Sequence, residues 1–423
     1  MAASRHALGL ALLAAAAQAW ANNGLLFIGF GSESLGMGGA DVAVARDTTA
    51  LNSNPAGLAQ TRRVAMDAYG TLTYAVDVRH RDALGNDLGV SDRFTPTLGI
   101  GYAQRAERAG LTWGVGFFVQ GGAGNKFENL ATAAGTRDEL SAALAIFKLA
   151  PGLAYELSER LRIGASVALV FGTLEQKLFP ATSTLAPAPF FGVEVEGLQA
   201  SGLNARLGLQ ALASERLTLA ATYSPKTRLD FEGGTLRSNQ TAAGFGVVTY
   251  RDARIEGFAL PRELALGAAW KAGPGLLISA KLAWLDWNDA LDRQTLLASD
   301  PAGPAAAASI RRDSPLDWNS QRVLALGFAY TSDATTFYGG VNLANSPVPP
   351  QTLTPLLSPA IARKHLTAGV SRLLAGGWRL SAGVLHVLPE RVVYTNAALQ
   401  PMLGSSEERI EYLGFNAMIG RSW

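Results

Sequence analysis

The chain has four histidines and no cysteine, which narrows the chemistry it can carry. His6 belongs to the leader discussed below, leaving His80, His365 and His386. No two of these have a metal-ligand spacing, and without thiolates a zinc site lacks its usual donors. A serine hydrolase needs a serine and a histidine on one face. Ser381 and His386 are an odd number of residues apart, so on a strand they face opposite sides. His365 and Ser371 share a face but lie too far apart to touch. Gly29, Phe30 and Gly31 follow an apolar run, but the third glycine and the βαβ frame of a dinucleotide loop are missing. These residues argue against an enzyme, and no catalytic residue, cofactor or metal is expected.

Spacing with more content lies in residues 22–60. Glycines cluster at Gly36, Gly38 and Gly39, and the chain breaks again at Asn54-Pro55-Ala56. Glycine lets backbone pack against backbone, and proline pushes Asn54 out of the helical region. No helix or strand pattern of useful length runs through this stretch. It reads as a plug that needs a container.

Composition describes the container. Of 423 residues, 48% are apolar and only 17% charged, against roughly 25% charged in soluble proteins. The net charge of +2 gives no reason to expect a nucleic-acid partner. Residues 1–21 have the form of a cleaved export signal: Arg5 and His6, an apolar core at 7–17, and Ala19-Trp20-Ala21. That core is shorter than the ~20 residues a spanning helix needs. No later stretch is long and apolar enough to span as a helix, so a membrane barrel reconciles low charge with export.

Period-2 patterning supports this. Leu161, Ile163, Ala165, Val167, Leu169 and Phe171 share one face, and Leu217, Leu219, Ala221 and Tyr223 another. Short turns at 107–110, 158–160, 214–216, 272–275, 332–335 and 375–377 alternate with longer irregular segments, among them 179–192, 233–248 and 290–315. That is the layout of an antiparallel meander with tight periplasmic turns and long outer loops, of about 14 strands. Tyr102, Trp113, Tyr155, Trp270, Tyr330, Phe337 and Trp378 all lie near short turns and predict an aromatic girdle. The last strand alternates Leu413, Phe415, Ala417 and Ile419 before Trp423, with Arg421 breaking the apolar run. The fold class expected is an all-β transmembrane antiparallel barrel. Lipid offers no partner to a free sheet edge, so the first strand must close on the last. The expected divisions are a signal at 1–21, a plug at 22–60 inside the lumen, and a barrel at 61–423.

The segment SLGMGGADVAVARDTTALNSNPAGLA (34–59) resembles the N-terminal hatch of the FadL/TodX family of outer-membrane transporters of hydrophobic compounds. The LPREL and KHLTAGV runs that begin at Leu260 and Lys364 are similar to late strands of that family. The resemblance implies a monomeric 14-stranded barrel in the outer membrane of a Gram-negative bacterium. It implies passive uptake of long-chain fatty acids or aromatic hydrocarbons through an apolar pocket, with hatch movement and lateral exit at a kinked third strand. Gly36, Gly38, Gly39, Asn54, Pro55 and Ala56 then form the hatch motif. Gly121, Gly122 and Gly124 mark the kink and side opening, although the same glycines also suit the start of an outer loop. Phe27, Ile28, Phe30, Leu51, Phe117 and Phe118 are pocket candidates, open equally to plug packing or a lipid-facing wall. The apolar segment 179–192 suits a first capture surface or a cover over the mouth. Expected partners are hydrophobic solutes, lipid and lipopolysaccharide, and, during assembly, the barrel-insertion machinery that recognises a terminal aromatic strand. A non-transporting barrel scaffold or secretion accessory of the same shape is the alternative, and a polar porin a third reading. The sequence does not identify the solute.

Overall fold

A computed structural model describes residues 23–107, 110–186 and 189–423. The signal and part of the 107–110 turn therefore lie outside the described residues. Fourteen strands form a closed antiparallel barrel. The first three are Val64–Ala75, Phe94–Arg105 and Leu111–Ala123, followed by Arg137–Ser158, Leu161–Thr184, Phe190–Leu212 and Leu217–Ser224. The eighth to the fourteenth are Glu263–Gly273, Leu276–Leu285, Gln321–Ser332, Thr335–Ala344, Lys364–Leu373, Trp378–Tyr394 and Ser406–Ser422. Closure runs from Ala65 opposite Ser422 to Ala75 opposite Tyr412. It is sealed at the short-turn end by Val64 N donating to Trp423 O at 2.9 Å and Trp423 N to Val64 O at 3.1 Å.

Side-chain alternation sets the two faces. Val167 is 55% exposed and Leu203 70%, so the apolar stripe of each strand points away from the barrel interior, as lipid requires. Trp113, Trp270, Tyr330, Phe337 and Trp378 are exposed near the short turns, with Tyr102 and Tyr155 half-buried among them. Arg421 faces outward with that girdle. Its guanidinium lies 5.1 Å from the Trp378 ring and 4.9 Å from Trp423, a cation–π bracket.

The outer segments are more regular than their sequences suggest. The expected irregular stretch 179–192 is mostly strand, interrupted by a bulge after Leu178 that turns Phe179 fully inward. Residues 233–248 and 290–315 likewise overlap or contain the strands Phe231–Asn239, Val247–Glu256, Arg293–Pro301 and Ile310–Pro315. Short charged or irregular runs such as Ile310–Pro315 show no clear alternation, and pairing with neighbours outweighs their weak strand propensity.

Residues 23–61 run through the lumen with one short helix, Gly31–Gly36, and 3₁₀ turns at Thr48–Leu51 and Pro55–Gln60. So little regular structure leaves many carbonyls without partners, and wall side chains supply them. Ser279 Oγ donates to Ala40 O at 2.7 Å, Ser166 Oγ to Leu51 O at 2.9 Å, and Asn342 Nδ2 to Gly38 O at 3.0 Å. Thr367 Oγ1 donates to Gly36 O at 3.0 Å. Asn54, fully buried, accepts from Ala56 N at 3.1 Å, capping the turn that Pro55 begins, and donates to Val42 O at 2.8 Å. Space comes from inward-facing strand glycines: side chains on Gly164 and Gly208 would overlap Pro55 and Asn54, and those on Gly327 and Gly340 would overlap Met37.

Replacing Gly208 by Leu is therefore expected to cost about 1–3 kcal/mol or more of plug docking. The Gly208→Leu barrel should still migrate as a folded species in unheated gels. An Ala45→Cys label, buried in the parent, should become reactive in this variant. Gly70→Ala, which meets only an ordinary contact, should leave that label protected.

Candidate functional site

The third strand departs from the wall midway. Opposite the fourth strand, Val119 pairs with Phe147 but Gly121 with Ile146, so Gln120 is an extra residue that bends the strand. Opposite the second strand, the ladder ends at Gly99 and Phe118. Residues 94–98 continue to pair with the first strand but have no ladder to the third. Pro96, with no N–H to offer, sits mid-run, as befits an edge. Above the gap, Ser91 N donates to Lys126 O at 2.8 Å. The result is a bounded window in the wall. Residues 119–123, all buried, take the plug's front end as a partner instead. Gly122 N donates to Leu25 O at 3.1 Å and Leu26 bridges Gly121. A side chain at Gly121 would overlap Leu25 O.

Two cavities flank the plug segment that follows. The larger is lined in part by Leu26, Phe27, Ile28, Phe30, Leu285 and Val323. The rest of its lining is polar and holds two ion pairs, Lys281–Asp41 at 3.1 Å and Arg206–Glu263 at 2.6 Å. Lys148 is buried beside the second pair. Pairing is what lets such charges lie inside a barrel. The smaller cavity lies behind the window between Thr97 and Val119, with Phe27, Ile28, Leu35, Thr71 and Leu385 around it.

Among the pocket candidates, Phe27, Ile28 and Phe30 line both cavities and separate them. Leu51 and Phe118 line neither. Both are buried in the plug's docking core, where Phe118 meets Phe30 edge-on with centroids 6.2 Å apart. Phe117 points to the other side of its strand and stacks on Phe147 at 6.1 Å, with Phe27 packed against that cluster. Gly36, Gly38 and Gly39 sit in the plug against Tyr338, Val341 and Ile28, and Gly38 and Gly39 adopt positive φ. Gly121 and Gly122 lie at the bend, and Gly124 just beyond it packs on Ala142. The sequence predicts an apolar pocket and does not select which basic residues line it; the structure gives the lining a polar part with Arg206 and Lys281. Its signal is Lys148, Arg206 and Lys281, charged residues buried at inward parity in their strands.

A loop reaches across the outer mouth to Asn125, just past the end of the third strand. Between the eleventh and twelfth strands, the turns Pro350–Thr352 and Pro355–Ile361 fold inward, burying Leu353, Leu356 and Ile361. The plug's front end lies below, with Gly24 against Trp287. At the rim, above the lipid-facing stripe, His80 is fully buried between carboxylates. Its Nδ1 lies 2.6 Å from Glu408 Oε1 and its Nε2 3.2 Å from Asp82 Oδ2, and Tyr394 OH donates to Glu408 at 3.0 Å. This ties the first outer loop to the last strand. Burial lowers the imidazolium pKa, but hydrogen bonds and charge from Asp82 and Glu408 outweigh it and raise it to about 9.

Residues 12–401 match the sequence profile of a family described as outer membrane protein transport protein (OMPP1/FadL/TodX). Among solved structures, the chain is similar to the P. putida toluene transporter TodX, at 20% identity and a TM-score of 0.76, covering 93% of this chain and 99% of that one. It is also similar to the Ralstonia pickettii toluene transporter TbuX (19%, TM-score 0.72, 93% and 98% covered). A Pseudomonas aeruginosa FadL homologue resembles it at 14% identity and TM-score 0.73, with 94% and 99% covered. At these identities the likeness is one of fold. No curated protein matches the chain significantly.

The raised pKa of His80 fixes a sign. The tie contributes fully below the unfolded imidazole value of about 6.5, and its contribution is lost as pH rises through about 9. Thermal melts in detergent should show stability falling across that window, and His80→Gln should abolish that part of the fall. An unchanged slope in the variant would show that His80 is not its source.

Proposed function

The chain belongs to the outer membrane protein transport protein (OMPP1/FadL/TodX) family, and on that premise we propose that it admits hydrophobic solutes passively and releases them sideways into the membrane. The observation that carries this reading is the window between residues 94–98 and 119–123 with the smaller cavity directly behind it. A water-filled pore offers an apolar solute nothing. A dry surface stabilises it by about 0.8 kcal/mol per buried CH₂, and a side exit spares it the aqueous periplasm.

In this scheme a fatty acid or aromatic hydrocarbon enters from the outer mouth and rests in the larger cavity, with its apolar part on Phe27, Ile28 and Phe30. The front of the plug then slides off Gly121 and Gly122. That movement breaks few bonds, chiefly Gly122 N to Leu25 O, while Asn54 and the strand glycines keep the plug body docked. The partition at Phe27 opens, and the solute passes the smaller cavity and the window. Residues 1–21 serve as a cleaved export signal and 22–60 as the hatch of a monomeric 61–423 barrel set among lipid and lipopolysaccharide. The toluene transporters among its structural likenesses support the choice of cargo class.

Filling the smaller cavity with Thr97→Trp should cut uptake of labelled oleate or toluene several-fold in cells, with the barrel still folded. Phe27→Ala, which removes the partition, should preserve or raise uptake. Parental uptake in the Thr97→Trp variant would rule out this exit. If the parent itself takes up neither solute, the transport reading fails.

A further inference from the structure

The six residues 120–125 hold three separate parts of the molecule. Gln120 Oε1 accepts from Asn52 Nδ2 of the plug body at 2.8 Å. Gly121 and Gly122 hold the plug's front end. Asn125, 1% exposed, reaches the opposite way: its Nδ2 donates to Pro355 O and to Ser358 Oγ, both at 2.7 Å. Those acceptors belong to the inward-folded turn that covers the outer mouth. The cover's other fastenings lie elsewhere on the rim, with Thr352 Oγ1 donating to Leu316 O at 2.6 Å and Asn396 Nδ2 to Leu353 O at 3.0 Å.

We propose that Asn125 is a positioning residue that couples the outer cover to the wall window. Pro355–Ile361 can leave the mouth only by giving up both bonds to Asn125. Asn125 is the far end of the bent run that frames the window. Its backbone carbonyl accepts from Ala142 N at 3.0 Å, and Gly124 is wedged against Ala142, so the run is short and closely packed. A displacement at Asn125 is transmitted along four residues to the place where Gly121 holds Leu26. Lifting the cover thus loosens the window, and a seated cover keeps it shut. Two gates that communicate in this way admit a solute at the top without leaving the side permanently open.

The chain has no cysteine, so a single Thr97→Cys reports the window cleanly. Its alkylation by a lipophilic maleimide would be timed in reconstituted liposomes. Asn125→Ala, which removes both bonds to the cover, should speed labelling about tenfold or more. Ser358→Ala, on the cover itself, should speed it less but in the same direction, and the double variant should fall short of the product of the two single effects. Heat-modifiable migration confirms that each barrel is folded. Unchanged labelling in both single variants overturns the coupling. So does a response to Asn125→Ala with none to Ser358→Ala, because the effect is then local to the strand. Labelling needs no cargo, so failure of uptake would sink the proposed transport while this measurement still decides the coupling.

Discussion

Every backbone N–H and C=O enclosed by this barrel must find a partner, because lipid surrounds the wall and the lumen is largely filled with protein. Strands meet that demand with one another. The plug has almost no regular structure, so it depends on donors brought to it. Ser166, Ser279, Asn342 and Thr367, from four different strands, each donate to a plug carbonyl. Their inward parity is fixed by the lipid-facing stripe of the same strands. The hydrophobic outside of the barrel thereby determines the polar inside.

The plug is held unevenly as a result. Its body, from Gly36 to Gln60, is held by side-chain hydrogen bonds and sits in the space left by strand glycines such as Gly164, Gly208, Gly327 and Gly340. Its front end, from Asn23 to Phe30, has a bridge to Gly121 and a bond from Gly122, and beyond these it mainly contacts apolar and aromatic side chains. Apolar contacts slide more readily than a network of buried hydrogen bonds breaks. The segment between the two cavities therefore has fewer hydrogen bonds to the wall than the plug body.

The window follows from the same requirement. A break in a sheet ladder at membrane depth leaves backbone groups that cost several kcal/mol each if unsatisfied in hydrocarbon. Bending the third strand inward gives its residues a substitute partner in the plug. On the second strand, Pro96 removes one donor from the run that lost its ladder. The irregular backbone is tolerated because it borders a cavity rather than bulk lipid alone.

The sequence by itself determined the container. Alternation along each strand, turns of alternating length, the aromatic girdle and an unstructured glycine-rich front end need only local pattern, and they led to a closed barrel of about 14 strands. The role of Phe27, Ile28 and Phe30 as a divider was within reach because all three belong to that front end. Tertiary structure alone decided the rest. Nothing in the pattern around Gln120 says that one extra residue is absorbed there, because a bulge is defined by the register of the neighbouring strand. Leu51 and Phe118 have the composition of pocket residues, yet they pack against each other's surroundings once the plug is docked. The polar lining joins Asp41 to Lys281 and Arg206 to Glu263, pairs separated by 240 and 57 positions. Such contacts are created by plug docking and strand assembly, so local sequence encodes the partners but not their meeting.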